Sequence, residues 1–284
     1  MSKKIMFEVV PPMRKASPSY FEKVINGIIE IIDGMDSVKI LNIPEIVDEN
    51  YCGMPYYRNI DNREFGKLLR EKCHKEILIN KVVVHFNPKD HFNEWLDETI
   101  NDFGIRHLVL VGGTFPVKYP GPTVLEANKL ASGKNISLGN IVIPTRQNES
   151  DNLIRKTQSG CSFFTSQVLF EPETTIKMVK DYSLKCKELK LKPSTIFLSF
   201  SPLSDSADID FLKWLGAYMD EATEKRLRKS TDMGKESLDI CTESYLKIAH
   251  ICKECKVPCK PNIEQITFHN LDLSRKMVEI FSDL

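Results

Sequence analysis

The 284-residue chain lacks net charge, since 39 Lys and Arg are balanced by 39 Asp and Glu. A balanced chain carries no basic field for nucleic acid and none for an anionic membrane surface, so neither is expected as a partner. Long apolar runs are missing as well. No stretch approaches the roughly 20 residues of a membrane span. Met1-Ser2-Lys3-Lys4 leads only into the short apolar run 5–10, which falls short of the apolar core of a secretory signal. The expectation is a cytoplasmic chain. Without an export signal, the eight cysteines are expected to be reduced. Cys252-x-x-Cys255-x-x-x-Cys259 has no second Cys-x-x-Cys to complete a metal set, and its first two members lie on a helical pattern. It reads as buried or incidental thiols with no metal, and a zinc or iron–sulfur centre is the alternative. Internal repeats, linkers and low-complexity stretches are also missing, so one domain over residues 1–284 is expected.

What the chain does have is a regular alternation of short apolar runs with amphipathic ones. Strands are expected at 4–10, 38–43, 77–86, 107–111, 138–143, 163–170, 195–200 and 266–269. Helical spacing fills the intervals at 20–32, 62–73, 90–103, 123–131, 149–159, 172–191, 208–215 and 220–256, and a last helix is expected at 273–281. The strands are apolar on both parities, as strands covered on both faces must be. Eight strands each followed by helix predict a closed (β/α)8 TIM barrel of the α/β class. An open doubly wound sheet would want a glycine-rich turn after the first strand, where Pro11-Pro12 stands instead. The polar, tyrosine-rich connection 44–61 is too long for a plain link and is expected to cover something, with 51–58 as a candidate lid.

Chemistry in such a barrel sits at the carboxyl ends of the strands. Those ends read Glu8; Asn42; His85 and Asn87; Gly112, Gly113 and Thr114; Thr145 and Arg146; Ser166 and Gln167; Ser199 and Ser201; His269 and Asn270. Glu8 and His85 are the two ionisable groups expected within a strand near this ring. An acid in an apolar strand is costly to ionise without a partner, which marks Glu8 as the candidate catalytic group. Gly112-Gly113 lets backbone approach a ligand closely or makes a tight turn. The helix opening at Asn148 carries Arg155 and Lys156; a helix start with cations can hold a pyrophosphate, and an Arg-Lys pair alone is more often a solvated face. Gln167 is expected mid-strand, where a buried amide needs partners at both ends, as a pterin or flavin edge or a side chain of a neighbouring strand would supply.

Taken in order, these stretches resemble the methylenetetrahydrofolate reductase family. Phe7-Glu8-x-x-Pro11-Pro12 is similar to its opening strand. Gly104-Ile105-Arg106-His107-Leu108-Val109 with Gly113-x-x-Pro116 is similar to its fourth strand and loop. Ile143-Pro144, then Asn152, Arg155 and Lys156, then Gly160 and Gln167 resemble its fifth and sixth units, and Pro202-Leu203-Ser204 its seventh. The resemblance implies an FAD-bearing barrel in which reduced flavin passes hydride to 5,10-methylenetetrahydrofolate, giving the 5-methyl form, and NAD(P)H or another donor reloads the flavin. It implies Glu8 as general acid, Gln167 with Ser166 as pterin holders, and Asn152, Arg155 and Lys156 as holders of the FAD pyrophosphate. Asn42, Gly112, Gly113 and Thr114 fall where the family contacts the flavin, but an Arg-Gly-Asp of the family is Gly112-Gly113-Thr114 here and a Thr-Tyr pair is Leu41-Asn42. Two alternatives therefore stand beside a flavin reductase. One is a barrel without FAD that binds a reduced pterin or folate, working by direct hydride transfer or methyl handling. The other is a non-catalytic subunit in a larger complex. A homo-oligomer or a partner subunit is left open.

Overall fold

The computed structural model describes residues 4–87, 90–114 and 116–284. Met1–Lys3, on which part of the leader expectation rests, lie outside the described residues. Eight parallel strands close into a barrel: β1 Ile5–Val9, β2 Val38–Ile43, β3 Glu76–Val82, β4 His107–Val111, β5 Ser137–Val142, β6 Phe163–Ser166, β7 Thr195–Phe200 and β8 Cys259–Gln265. Each pairs with its neighbours in chain order, and β8 closes against β1. The fold is the expected (β/α)8 TIM barrel. Helices α1 Pro18–Ile32, α2 Asn62–Cys73, α3 His91–Asn101, α4 Val124–Ala131, α5 Glu149–Gln158 and α6 Glu173–Glu188 follow the first six strands. The seventh is followed by α7 Ser206–Trp214, α8 Glu221–Lys229 and α9 Met233–Cys255, and the last by α10 Leu271–Asp283. No helix among the described residues is long and apolar enough to cross a membrane.

Strand alternation builds two cores. Met6, Ile40, Leu78, Val109, Phe163 and Phe197 form a small cluster of their own, which fixes the inward parity of their strands. Gly139 belongs to this layer, and a Cβ there would sit 2.3 Å from the Phe163 ring, so the missing side chain is what lets that ring fill the barrel axis. The opposite parity packs on the helices: Phe7, Leu41, Ile79, Phe164 and Leu198 join the large outer core with Val24, Leu96 and Val179. Two residues further along the strands the inward positions are polar on β1, β2, β3 and β6, at Glu8, Asn42, Asn80 and Thr165, while Val111 and Ile141 continue the apolar layer on β4 and β5, and there the mouth begins.

Three expected strands shift, and the shifts matter for the site. The eighth strand is not at 266–269 but at Cys259–Gln265. Its sequence, Cys-Lys-Pro-Asn-Ile-Glu-Gln, is polar on one parity and carries Pro261, whose ring removes a ladder donor. The apolar pattern that suggested 266–269 belongs instead to a 3-10 turn, Phe268–Asn270, so His269 and Asn270 do not stand at a strand end. The third strand stops at Val82, and His85 lies in a 3-10 turn, Val83–His85. The sixth stops at Ser166, so Gln167 is one residue past the strand, although its N–H still reaches Val142 O at 2.9 Å.

Candidate functional site at the barrel mouth

Glu8 and Glu264 are register partners on β1 and β8, on the inward parity of Met6 and Asn262. Parallel strands lie about 4.8 Å apart, so the two carboxyls face each other across one strand spacing. Glu264 went unseen in the sequence because its strand did, and Lys81 on β3 is a further ionisable strand residue beyond Glu8 and His85. The period-two run Lys260, Asn262, Glu264 was the signal that an inward polar face existed. Asn42 Nδ2 donates a short hydrogen bond to Glu8 Oε2, and Asn262 Nδ2 lies 3.4 Å from Glu264 Oε1. Among the described residues no Lys, Arg or His forms an ion pair with either acid. Burial raises the Glu8 carboxyl well above the usual range, and the neighbouring Glu264 charge raises it further. Burial likewise raises Glu264, to about 7, against a hydrogen bond from Ser199 that lowers it. Burial of both carboxyls, and the charge of Glu264 beside Glu8, disfavour ionising the pair together.

Around the pair stands a ring of polar atoms with no protein partner: Asn42 Oδ1, Asn80 Oδ1, Thr165 Oγ1 and Asn262 Oδ1. Asn42 and Asn262 are 1% and 0% exposed. Each orphaned group costs about 1–3 kcal/mol if left so. Three of the four are amide oxygens, and the carboxyl pair adds more acceptor oxygen. The mouth is therefore built to meet a ligand rich in N–H donors.

The other expected site residues sort differently. Ser166 shares the outward parity of Phe164, and its hydroxyl accepts from Ser199 N at 2.8 Å, so Thr165 is the inward hydroxyl. Gln167 spends both ends of its amide locally, donating to Leu215 O at 3.1 Å and accepting from Val168 N at 3.2 Å. Gly113 does make room for a close approach, but the occupant is protein: a Cβ there would lie 2.2 Å from the Tyr119 ring. Tyr119 accepts from Thr114 N at 3.0 Å and donates to Glu49 Oε2 at 2.7 Å. The other Glu49 oxygen lies 2.8 Å from His85 Nε2, whose ring packs edge-on to Tyr119. Glu49 belongs to the connection 44–61, so Gly113, Thr114, Tyr119 and His85 tie that connection down. Lys81 faces outward to Glu45, among Phe86 and Trp95.

The start of α5 is occupied from within. Glu149, 2% exposed, accepts from Ile143 N at 3.0 Å and from Asn152 Nδ2 at 2.7 Å, and lies 3.8 Å from Lys156 Nζ. Lys156 donates to Ile141 O at 2.7 Å. Burial lowers its pKa, against the attraction of Glu149. Among the described residues Arg155 reaches back to Asn152, at 2.5 Å. Two of the three side chains expected to hold the FAD pyrophosphate are thus spent on a buried carboxylate, which would itself repel a phosphate. With the space over Gly113 filled as well, the residues present do not fit FAD.

Of the late cysteines, Cys252 and Cys259 interact side chain to side chain, with Cys255 close enough to act on Cys252. The set of three metal-capable groups found among the described residues is Asp205, Asp208 and His269. Asp208 there accepts from Ser204 N and Asn270 Nδ2, both at 2.8 Å, and lies 3.1 Å from His269 Nε2. Burial alone would raise its pKa, but the hydrogen bonds from Asn270 and Ser204 outweigh it and hold the carboxyl below the ordinary value. The cluster reads as the cap of α7.

No family model and no curated protein sequence matches the chain. Solved structures do, 447 chains in all, which reflects a fold shared by many activities. One is an uncharacterized protein from Clostridium thermocellum that binds two copies of 5-methyl-5,6,7,8-tetrahydrofolic acid. It is 21% identical, with a TM-score of 0.82, covering 99% of this chain and 95% of that one. Another is the spore cortex-lytic enzyme SleL of Bacillus cereus, 11% identical with a TM-score of 0.54, covering 99% of this chain and 74% of that one. At these identities the likeness is one of fold, and the first structure matches it nearly end to end.

Proposed function

We propose that the barrel mouth binds a reduced pterin of the folate type and supplies it with a proton from the Glu8–Glu264 pair. The observation that carries this reading is the pair itself, ringed by the unpartnered oxygens of Asn42, Asn80, Thr165 and Asn262. A pterin presents amine and ring N–H donors along one edge, which an acceptor-rich ring would satisfy. The 5-methyltetrahydrofolic acid bound by the Clostridium thermocellum barrel supports the same ligand class.

The reaction proposed is reduction of a methylene carrier to its methyl form. Glu8, kept protonated by burial and by Glu264, donates to the ring nitrogen as its bond to the methylene carbon breaks. Hydride then adds to the resulting iminium carbon, and water restores the proton to the pair. Since the residues at α5 and Gly113 do not fit FAD, NAD(P)H is proposed as the direct hydride donor. A second reading, binding and handling of the methyl form without reduction, is favoured by the ligand in the related barrel being already methylated.

Calorimetric titration with 5-methyltetrahydrofolate tests the ligand class. The expected result is saturable binding to the wild type, with a folded Glu8→Gln variant losing roughly 100-fold or more in NADPH-dependent methylene reduction while still binding the methyl form. A folded wild type that ignores the ligand would overturn the proposal, and wild-type turnover by Glu8→Gln would remove the proton-donor role. The purified protein is expected to be colourless, and saturable uptake of added FAD would restore the flavin route.

A further inference from the structure

Strands β1 and β8 carry a second feature on their outer face. There Val9 pairs with Gln265, back to back with the two acids. Between this face and helices α1 and α10 lies a cavity of about 390 Å³, walled by apolar side chains such as Val9, Pro11, Ile28, Phe268 and Leu271. That volume is within the range of small-molecule sites and far beyond a packing defect. Beside Asn59, whose amide donates to Pro11 O, two further polar side chains line it. Gln265 is 6% exposed; its Nε2 donates to Thr267 O, and its Oε1 has no protein partner. Lys15 stands at the rim, exposed, and joins no ion pair among the described residues. Met13 and Tyr20, 63% and 47% exposed, extend the apolar wall outward.

We propose that this cavity is a ligand site separate from the barrel mouth, for a small aromatic molecule that carries an N–H or O–H donor and an anionic group. The ring system would lie against the apolar walls, the donor would meet Gln265 Oε1, and the anion would sit beside Lys15. An apolar partner side chain would leave the Gln265 oxygen and the Lys15 charge unused, so the small anionic aromatic is the better match.

Anilinonaphthalene sulfonate has all three features, and its fluorescence rises in apolar surroundings. Titration of the full chain is expected to show one saturable site of micromolar affinity. Ala16→Phe, which places a ring in the cavity from its half-buried edge, should weaken binding at least tenfold. Lys15→Glu should weaken it several-fold, and less so at high salt. Gln265→Leu should weaken it about tenfold while leaving the far-UV spectrum and 5-methyltetrahydrofolate binding unchanged. Dye affinity indifferent to Lys15→Glu and Gln265→Leu, or no saturable site in the wild type, would overturn the proposal, whether or not Ala16→Phe folds.

Discussion

Replacing Glu264 by glutamine should change how stability depends on pH. The ordinary glutamate value is 4.5, and burial puts Glu264 at about 7 in the folded chain. Between those values the folded state holds a proton that the unfolded state has released, so stability falls as pH rises. At about 1.4 kcal/mol per pH unit, the gap from 4.5 to about 7 is worth about 3 kcal/mol. Partial access of water through the mouth reduces this to about 1–3 kcal/mol. Asp61, Asp208 and Asp220 are held below their ordinary 3.8, so their stabilisation is nearly complete before this window opens, and Glu224 and Glu243, held below 4.5, act only at its start and equally in both proteins. Glu264→Gln removes the titration but keeps the shape and a hydrogen-bonding amide for Ser199 and Asn262. The variant should match the wild type near about pH 4.5 and exceed it by about 1–3 kcal/mol near about pH 8. Urea unfolding followed by circular dichroism across that range measures it. A wild type whose stability climbs through the window, or a variant with the wild-type slope, would refute the argument that the two acids face each other unneutralised.

The barrel was legible because its cause is local. Apolar runs on both parities mark strands covered on two faces, and the helices between them show in their spacing, with Ser17, Asp61 and Thr123 as N-caps in the structure. Glu8 was legible for the opposite reason, as a charge where the pattern asks for an apolar side chain. Its partner was hidden by the same chemistry that makes it a partner. A strand whose inward face is Lys260, Asn262 and Glu264 and whose outward face includes Pro261 has no apolar period to read, and only closure of the barrel against β1 gives it a place. At Gly113 and Lys156 residue type gives a capability and not an occupant. The space over Gly113 went to Tyr119, and the lysine went to Ile141 O and Glu149. Spacing along the chain cannot reveal these long-range choices.

Gly113→Ala should cost about 1–3 kcal/mol in thermal unfolding, because its Cβ would fall 2.2 Å from the Tyr119 ring and force it off Glu49; a neutral effect would mean that Tyr119 moves freely. Arg155→Ala should change neither stability beyond about 0.5 kcal/mol nor 5-methyltetrahydrofolate affinity, since the side chain is exposed and among the described residues meets Asn152; a large loss of ligand affinity would return the start of α5 to the site. The decisive case is the pair Lys156 and Glu149. Lys156→Met leaves a carboxylate that is 2% exposed without the lysine paired with it, and removing one member of a buried pair costs about 3 kcal/mol. Glu149→Gln keeps the acceptor for Ile143 N but discards the charge, so in that background Lys156→Met should cost much less. A double-mutant cycle by urea unfolding should therefore show a coupling of at least about 1 kcal/mol. Strict additivity would mean that Glu149 does not neutralise this end of the helix from within, and the helix start would again be open to a phosphate.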